Sequence, residues 1–133
     1  MKPRRHTLLF DARFAPLIAA GTKSHTIRPP RKREILPGDL LSLRAWTDKP
    51  YRSAQAELRR AVCTKIGSIR LSQRDYRGVL LQEVEIDGRL LHPDCAEKLA
   101  TRDGFSTLTE MLDYHREHFG LDRDLLLIDW REQ

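Results

Sequence analysis

The sequence predicts an α+β protein: a small, partly closed β-barrel or curled sheet with flanking helices. Three observations carry this. The apolar segments are mostly short and strand-like, and they follow one another without regular βαβ alternation. Two segments near the C-terminal end have helical caps or spacing instead. No GxGxxG or GxxxxGK[ST] loop is present, which argues against a Rossmann-type or P-loop fold.

The 133 residues are read as a single domain over 1–133, long enough to bury a core without disulfide staples. Hydrophobic content of 40% with 32% charged residues suits a folded soluble chain. No apolar run approaches the ~18 residues of a membrane span. The basic start Met1–His6 leads into a segment broken by Asp11 and Arg13, unlike a signal peptide. Cys63 and Cys95 lack CxxC spacing, so reduced thiols and a cytoplasmic setting are expected, with no membrane partner.

In order, Thr7–Phe10 reads as the first strand. Phe14, Leu17 and Ile18 fall at i, i+3 and i+4 of a short helix, with Asp11 as its cap and Gly21 just beyond its end. Ser24–Arg28 is the second strand, stopped by Pro29-Pro30. The turn Pro37-Gly38-Asp39 launches a third strand, Leu40–Trp46. A polar loop follows to Ser53, and Ala54–Leu58 is read as one helical turn. Residues 59–71 alternate loosely, and Gly67 suggests a bulge. Val79–Ile86 is a strand, with Asp87-Gly88 turning into Arg89–His92. A helix runs from Pro93 to about Arg102 and breaks at Asp103-Gly104-Phe105. Thr107 and Glu110 fit a capping box, after which Leu108, Met111, Leu112, His115 and Phe119 mark one helical face. Leu125–Trp130 is the last strand.

Charge is uneven. Residues 1–70 hold 16 Lys/Arg against 5 Asp/Glu, a balance of +11, whereas residues 71–133 hold 8 against 14, a balance of −6. Two solvated halves would explain this, and so would a basic face for a phosphate-bearing partner. Histidines 6, 25, 92, 115 and 118 form neither HxH nor HExxH, so no metal is expected. His115 sits on an apolar stripe, where a core role is the simpler reading.

The stretch Gly21–Arg28 combines Lys23, His25, Thr26 and Arg28 around the apolar Ile27, a mixture that packing alone rarely asks for. On a regular strand Thr26 and Arg28 share one face and His25 and Ile27 the other. Ile27 marks the core side, which turns Thr26 and Arg28 toward a cleft. For Lys23 to join them it must lie in the turn after Gly21. The plain alternative is a solvated Lys23, a Thr26 that fills a β position, and an Arg28 paired with a carboxylate such as Asp39.

The helix ending at Gly21, Lys23, Thr26-Ile27-Arg28, the Pro37-Gly38-Asp39 turn, Asp103-Gly104-Phe105 and Leu127-Ile128-Asp129-Trp130, in that order, resemble the ASCH domain of the PUA-like superfamily. The segment from Trp46 to Ser53 is similar to that of short bacterial and phage ASCH proteins. The resemblance implies a PUA-like β-barrel with flanking helices and a ligand that is RNA or a modified nucleoside, with no cofactor. Some ASCH proteins are amidohydrolases that remove an acyl group from acetylcytidine through a lysine, a threonine and a glutamate. The first two carry over to Lys23 and Thr26. The acid has no clean match; Asp103 stands in the comparable place, with Glu97 and Glu110 as weaker substitutes.

Two functions follow as expectations. In the first, Thr26 attacks an acyl-amide, Lys23 takes its proton, Asp103 orients the lysine or shuttles a proton, and Arg28 or backbone N–H groups stabilise the oxyanion. In the second, the protein binds or cleaves single-stranded RNA. Arg4, Arg5, Arg31, Lys32 and Arg33 would grip phosphates and Trp46 or Tyr51 would stack a base. Lys49, Tyr51, Arg52 and His25 would be the candidates for metal-free cleavage, and Ser53 closes that polar loop. Binding without catalysis is the third option. A strand-end core role for Trp46 and an ordinary loop for Lys49–Ser53 are the bland counterparts.

Overall fold

Strict alternation makes β1 (Arg5–Phe10): His6, Leu8 and Phe10 are buried or nearly so, while Arg5 and Thr7 are exposed. The computed structural model describes residues 2–49 and 53–133. After β1 come a 3-10 turn at Ala12–Phe14 and the five-residue helix α1 (Ala15–Ala19), which Pro16 enters in its first turn. Asp11 precedes them in extended conformation, with no side-chain cap bond. Then follow β2 (His25–Arg28), β3 (Leu40–Trp46), β4 (Gln55–Tyr76), β5 (Val79–Ile86), β6 (Arg89–Leu90), α2 (Pro93–Arg102), α3 (Leu108–His118) and β7 (Asp124–Glu132).

The class is α+β. Among the described residues seven strands form one sheet in the order β1-β3-β4-β5-β6, with β7 on β4 and β2 on β7. Among the described residues this hydrogen-bonded path does not close into a ring. Among the described residues no helix is long and apolar enough to cross a membrane. The chain divides into two compact units: Met1–His25, Arg33–Ile66 and Ile128–Gln133 in the first, Thr26–Lys32 and Gly67–Leu127 in the second.

In the first unit β1 pairs with β3 in parallel, and β3 pairs with β4 antiparallel. Leu41, Leu43 and Ala45 of β3 face the same core as Leu8 and Phe10, and Phe10 meets Trp130 edge-on at 6.0 Å. Each such buried Leu or Phe contributes about 1.5–3 kcal/mol. The expected helical turn at Ala54–Leu58 is instead the start of β4, where Ala56 pairs with Ala45 and Glu57 with Arg44. The neighbouring strand β3 offers a hydrogen-bond ladder, which outweighs the local helical preference of Ala and Leu.

In the second unit β4 and β5 pair from Ile69–Ile86 to Tyr76–Val79. The β3–β4 register ends at Val62 and shifts at Leu43/Arg44, and the β4–β5 register begins at Ile69, with Gly67 between them. Gly67 leaves room for Asp87: a side chain there would meet its carboxylate at 3.4 Å, and Asp87 accepts the Ser68 N–H at 2.8 Å.

The predicted hairpin turn is present, with positive φ at Asp87 (51°) and Gly88 (80°). No atom lies within 4 Å of a Gly88 Cβ, so Gly88→Ala is strained by its backbone angle alone. It is expected to cost about 1 kcal/mol, read as a lower urea midpoint with an unchanged slope.

Helix α3 follows its sequence closely. Thr107 accepts the Glu110 N–H at 3.1 Å, and Leu108, Met111, Leu112 and His115 are buried along one stripe. His115 donates Nδ1–H to the Met111 carbonyl at 2.8 Å, and its ring sits 6.1 Å from Phe105 and 5.9 Å from Phe119. It is a core histidine.

Candidate functional site

The Gly21 turn is built by its own chain. Gly21, at φ 79°, donates to Ile18, and the N–H groups of Thr22 and Lys23 both reach the Leu17 carbonyl at 2.9 and 3.1 Å. Arg59 reinforces the end of α1 by donating to the Ala19 carbonyl at 2.7 Å, and it is itself paired with Glu132. This geometry folds Lys23 inward. The residue is 3% exposed, with its ammonium 5.0 Å from the Phe14 ring centre. The solvated lysine of the plain reading is therefore replaced by a buried one.

In the second unit Thr26 and Arg28 share a face of β2, as alternation requires. Arg28 donates Nε–H to the Thr26 hydroxyl at 3.3 Å. The expected contrast between a core face and an open face is missing, because His25, Thr26 and Ile27 are all buried. The plain alternative gave Arg28 a carboxylate such as Asp39; Asp39 takes His6 and two backbone N–H groups. Asp103 follows the last turn of α2, 2% exposed, with its own N–H on the Leu99 carbonyl. Glu97 and Glu110 hold backbone at the entry to α3: Glu97 accepts the Leu108 N–H and Glu110 the Ser106 N–H. That leaves Asp103 as the buried acid of the three.

Trp46 ends β3 half-buried, opposite Gln55. Lys49 is exposed. Ser53 spends its hydroxyl on the loop, accepting the Asp48 N–H and donating to the Lys49 carbonyl at 2.8 Å. Tyr51 and Arg52 lie outside the described residues. Among the described residues no group of three or more His, Cys, Asp or Glu is placed to hold a metal. Both cysteines are free; burial pushes the Cys63 thiol up, which suits a core residue rather than a nucleophile.

Two polar clusters were not singled out in the sequence. One is His6–Asp39, a buried pair at 2.8 Å. Burial alone would raise the Asp39 carboxyl. Hydrogen bonds from the Leu36 N–H, the His6 ring and the Arg4 N–H outweigh it and hold the carboxyl below its ordinary value. The ionised carboxylate only accepts, so His6 Nε2 carries the hydrogen. The other cluster is Ser42, Arg44, Glu57 and Arg60. Alternation along Leu40–Trp46 could have found its first two members; the misread turn at 54–58 hid Glu57.

No protein-family model matches the chain, and no curated protein matches it in sequence.

Proposed function

We propose that the chain is an ASCH-like protein of PUA-like type that hydrolyses an acyl-amide on a nucleobase. One observation carries the reading. Lys23, Thr26 and Asp103, an amine, a hydroxyl and a carboxyl, are 3%, 6% and 2% exposed, although each type is usually found in water. Burial of these groups is costly for a fold and useful for chemistry. The order of features in the chain supports the family likeness: a helix closed by a positive-φ glycine, a buried lysine, a short strand, then a Gly38 turn into β3.

In this reading Thr26 Oγ1 attacks the acyl carbonyl carbon, and its proton passes to Lys23, three residues earlier in the chain. To take that proton Lys23 must be in its neutral form. Arg28, already bonded to the Thr26 hydroxyl, offers its cation to the oxyanion. Collapse breaks the C–N bond, the proton moves to the departing nucleobase amine, and water then releases the acid from the threonyl ester. Asp103 orients the lysine.

Pure protein incubated with acetylcytidine is expected to release cytidine and acetate. Lys23→Ala should slow release by about 10²–10⁴-fold. No release by the unaltered protein removes the reading.

The alternative, a single-stranded RNA binder or ribonuclease, is favoured by the exposure of Arg4, Arg5, Arg31, Lys32 and Arg33 on a chain of net charge +5. A labelled RNA oligomer separates the cases. A shift without products means a binder, and products in EDTA mean a metal-free nuclease. Affinity that ignores salt rules out both.

A further inference from the structure

One outward face of β1, β3 and β4 gathers polar groups that the acyl-amide chemistry does not use. Thr7 of β1 stands beside Ser42 of β3, and Ser42 beside Arg60 of β4. In a regular strand Glu57 and Arg60 would face opposite ways. The register shift at Leu43/Arg44 sets Leu43 against Arg59 but Arg44 against Glu57, so residue 58 is the extra residue of a bulge. The bulge brings Glu57 and Arg60 to the same face. Arg60 donates Nε–H to Glu57 at 2.8 Å, the Ser42 hydroxyl donates to the other carboxylate oxygen, and Arg44 reaches that oxygen at 3.6 Å and Ser42 at 3.0 Å. With Arg5 these groups line a concavity of about 290 Å³.

We propose that this concavity is a binding site for a phosphate monoester, with Ser42, Arg44 and Arg60 as its donors and Glu57 as the carboxylate that occupies them when no ligand is bound. The Arg60 Nε–H, the Ser42 hydroxyl and, at 3.6 Å, the Arg44 guanidinium already converge on one planar anion, and the same groups suit phosphate. The charges agree. Among the side chains of the lining, Arg5, Arg44 and Arg60 against Glu57 leave a surplus of two positive charges, which a monoester of about −1.5 to −2 neutralises and a diester does not. Hydrogen bonds from Ser42 and Arg60 hold the Glu57 carboxyl below its ordinary value, so it is a charged competitor at neutral pH. It is also displaceable: the side chains of Glu57 and Arg60 are 28% and 73% exposed, and such surface ion pairs are weak.

The occupant is either a small phosphoester or the phosphorylated end of an RNA strand. Titration of the full chain with inorganic phosphate near neutral pH tests the site, followed by a short RNA oligomer with and without a 5′-phosphate. Phosphate binding is expected, weakened about tenfold in Arg60→Ala and tightened in Glu57→Gln, which removes the competing charge. A structural ion pair alone predicts the opposite for Glu57→Gln, so unchanged or weaker binding in that variant overturns the proposal, as does absence of phosphate binding. Melting of each variant is measured first; should Arg44→Ala unfold, the exposed Arg60 carries the test. Tighter binding of the 5′-phosphorylated oligomer supports the site and assigns it to RNA ends. Equal binding of the two oligomers, with phosphate still bound, supports the site and assigns it to small phosphoesters. Cytidine release reads the acyl-amide chemistry and phosphate titration reads this site, so the two fail separately.

Discussion

Thr26→Val is expected to abolish acyl-amide hydrolysis, with kcat falling on the order of 10³-fold or more, while the protein remains folded. Valine keeps the shape of threonine and removes only the hydroxyl, which is buried and accepts one hydrogen bond, from Arg28 Nε at 3.3 Å. The cost in stability is about 1–3 kcal/mol, because Arg28 loses an acceptor. Thr26→Ser restores a hydroxyl on the same backbone and should recover measurable turnover. Steady-state kinetics on acetylcytidine, paired with urea unfolding of each variant, separates chemistry from folding. Turnover that survives in Thr26→Val would show that water, not this hydroxyl, attacks the acyl group.

Asp39→Ala should be the most destabilising polar substitution in the first unit, at about 3–5 kcal/mol. The carboxylate accepts the Arg4 N–H at 3.1 Å, the Leu36 N–H at 3.0 Å and His6 Nε2 at 2.8 Å, so its removal orphans three donors around a side chain with 8% exposure. The pH dependence has a definite sign. The native carboxyl titrates below its ordinary value, so its contribution is complete above about pH 4 and is lost as pH falls through the lower native value. Urea midpoints between neutral and acid pH should fall less steeply for Asp39→Asn than for the unaltered protein. Equal acid limbs would mean that this carboxylate is not what acid removes.

The sequence was a good guide wherever a conformation is dictated by neighbours along the chain. The Asp87-Gly88 turn, the Thr107 cap and the buried stripe of α3 all stand where alternation, spacing and turn chemistry put them. Gly21 likewise announced the left-handed residue that ends α1 and turns Lys23 inward. It failed where a partner far along the chain decides. Ala54–Leu58 has the composition of a helical turn and becomes a strand because β3 pairs with it. Gly67 leaves the space beside which the Asp87 carboxylate, twenty residues on, is seated, and no neighbour in the chain announces that. The face assignment on β2 was half legible. Thr26 and Arg28 do share a side, but nothing in four residues reports that both sides are covered.

By itself, then, the amino-acid order determined the α+β class, the tight turns, the Thr107 cap and the shared side of the Thr26 hydroxyl and the Arg28 guanidinium on β2. These depend on φ preferences and on side chains within about four residues of one another. Only the tertiary structure decided that Lys23, Thr26 and Asp103 are buried, that Asp39 belongs to His6, and that a bulge opposite Arg44 turns Glu57 and Arg60 to one face. Burial and register are set by which distant segment packs or pairs, and that choice is made by the sum of many weak contacts rather than by any local string of residues.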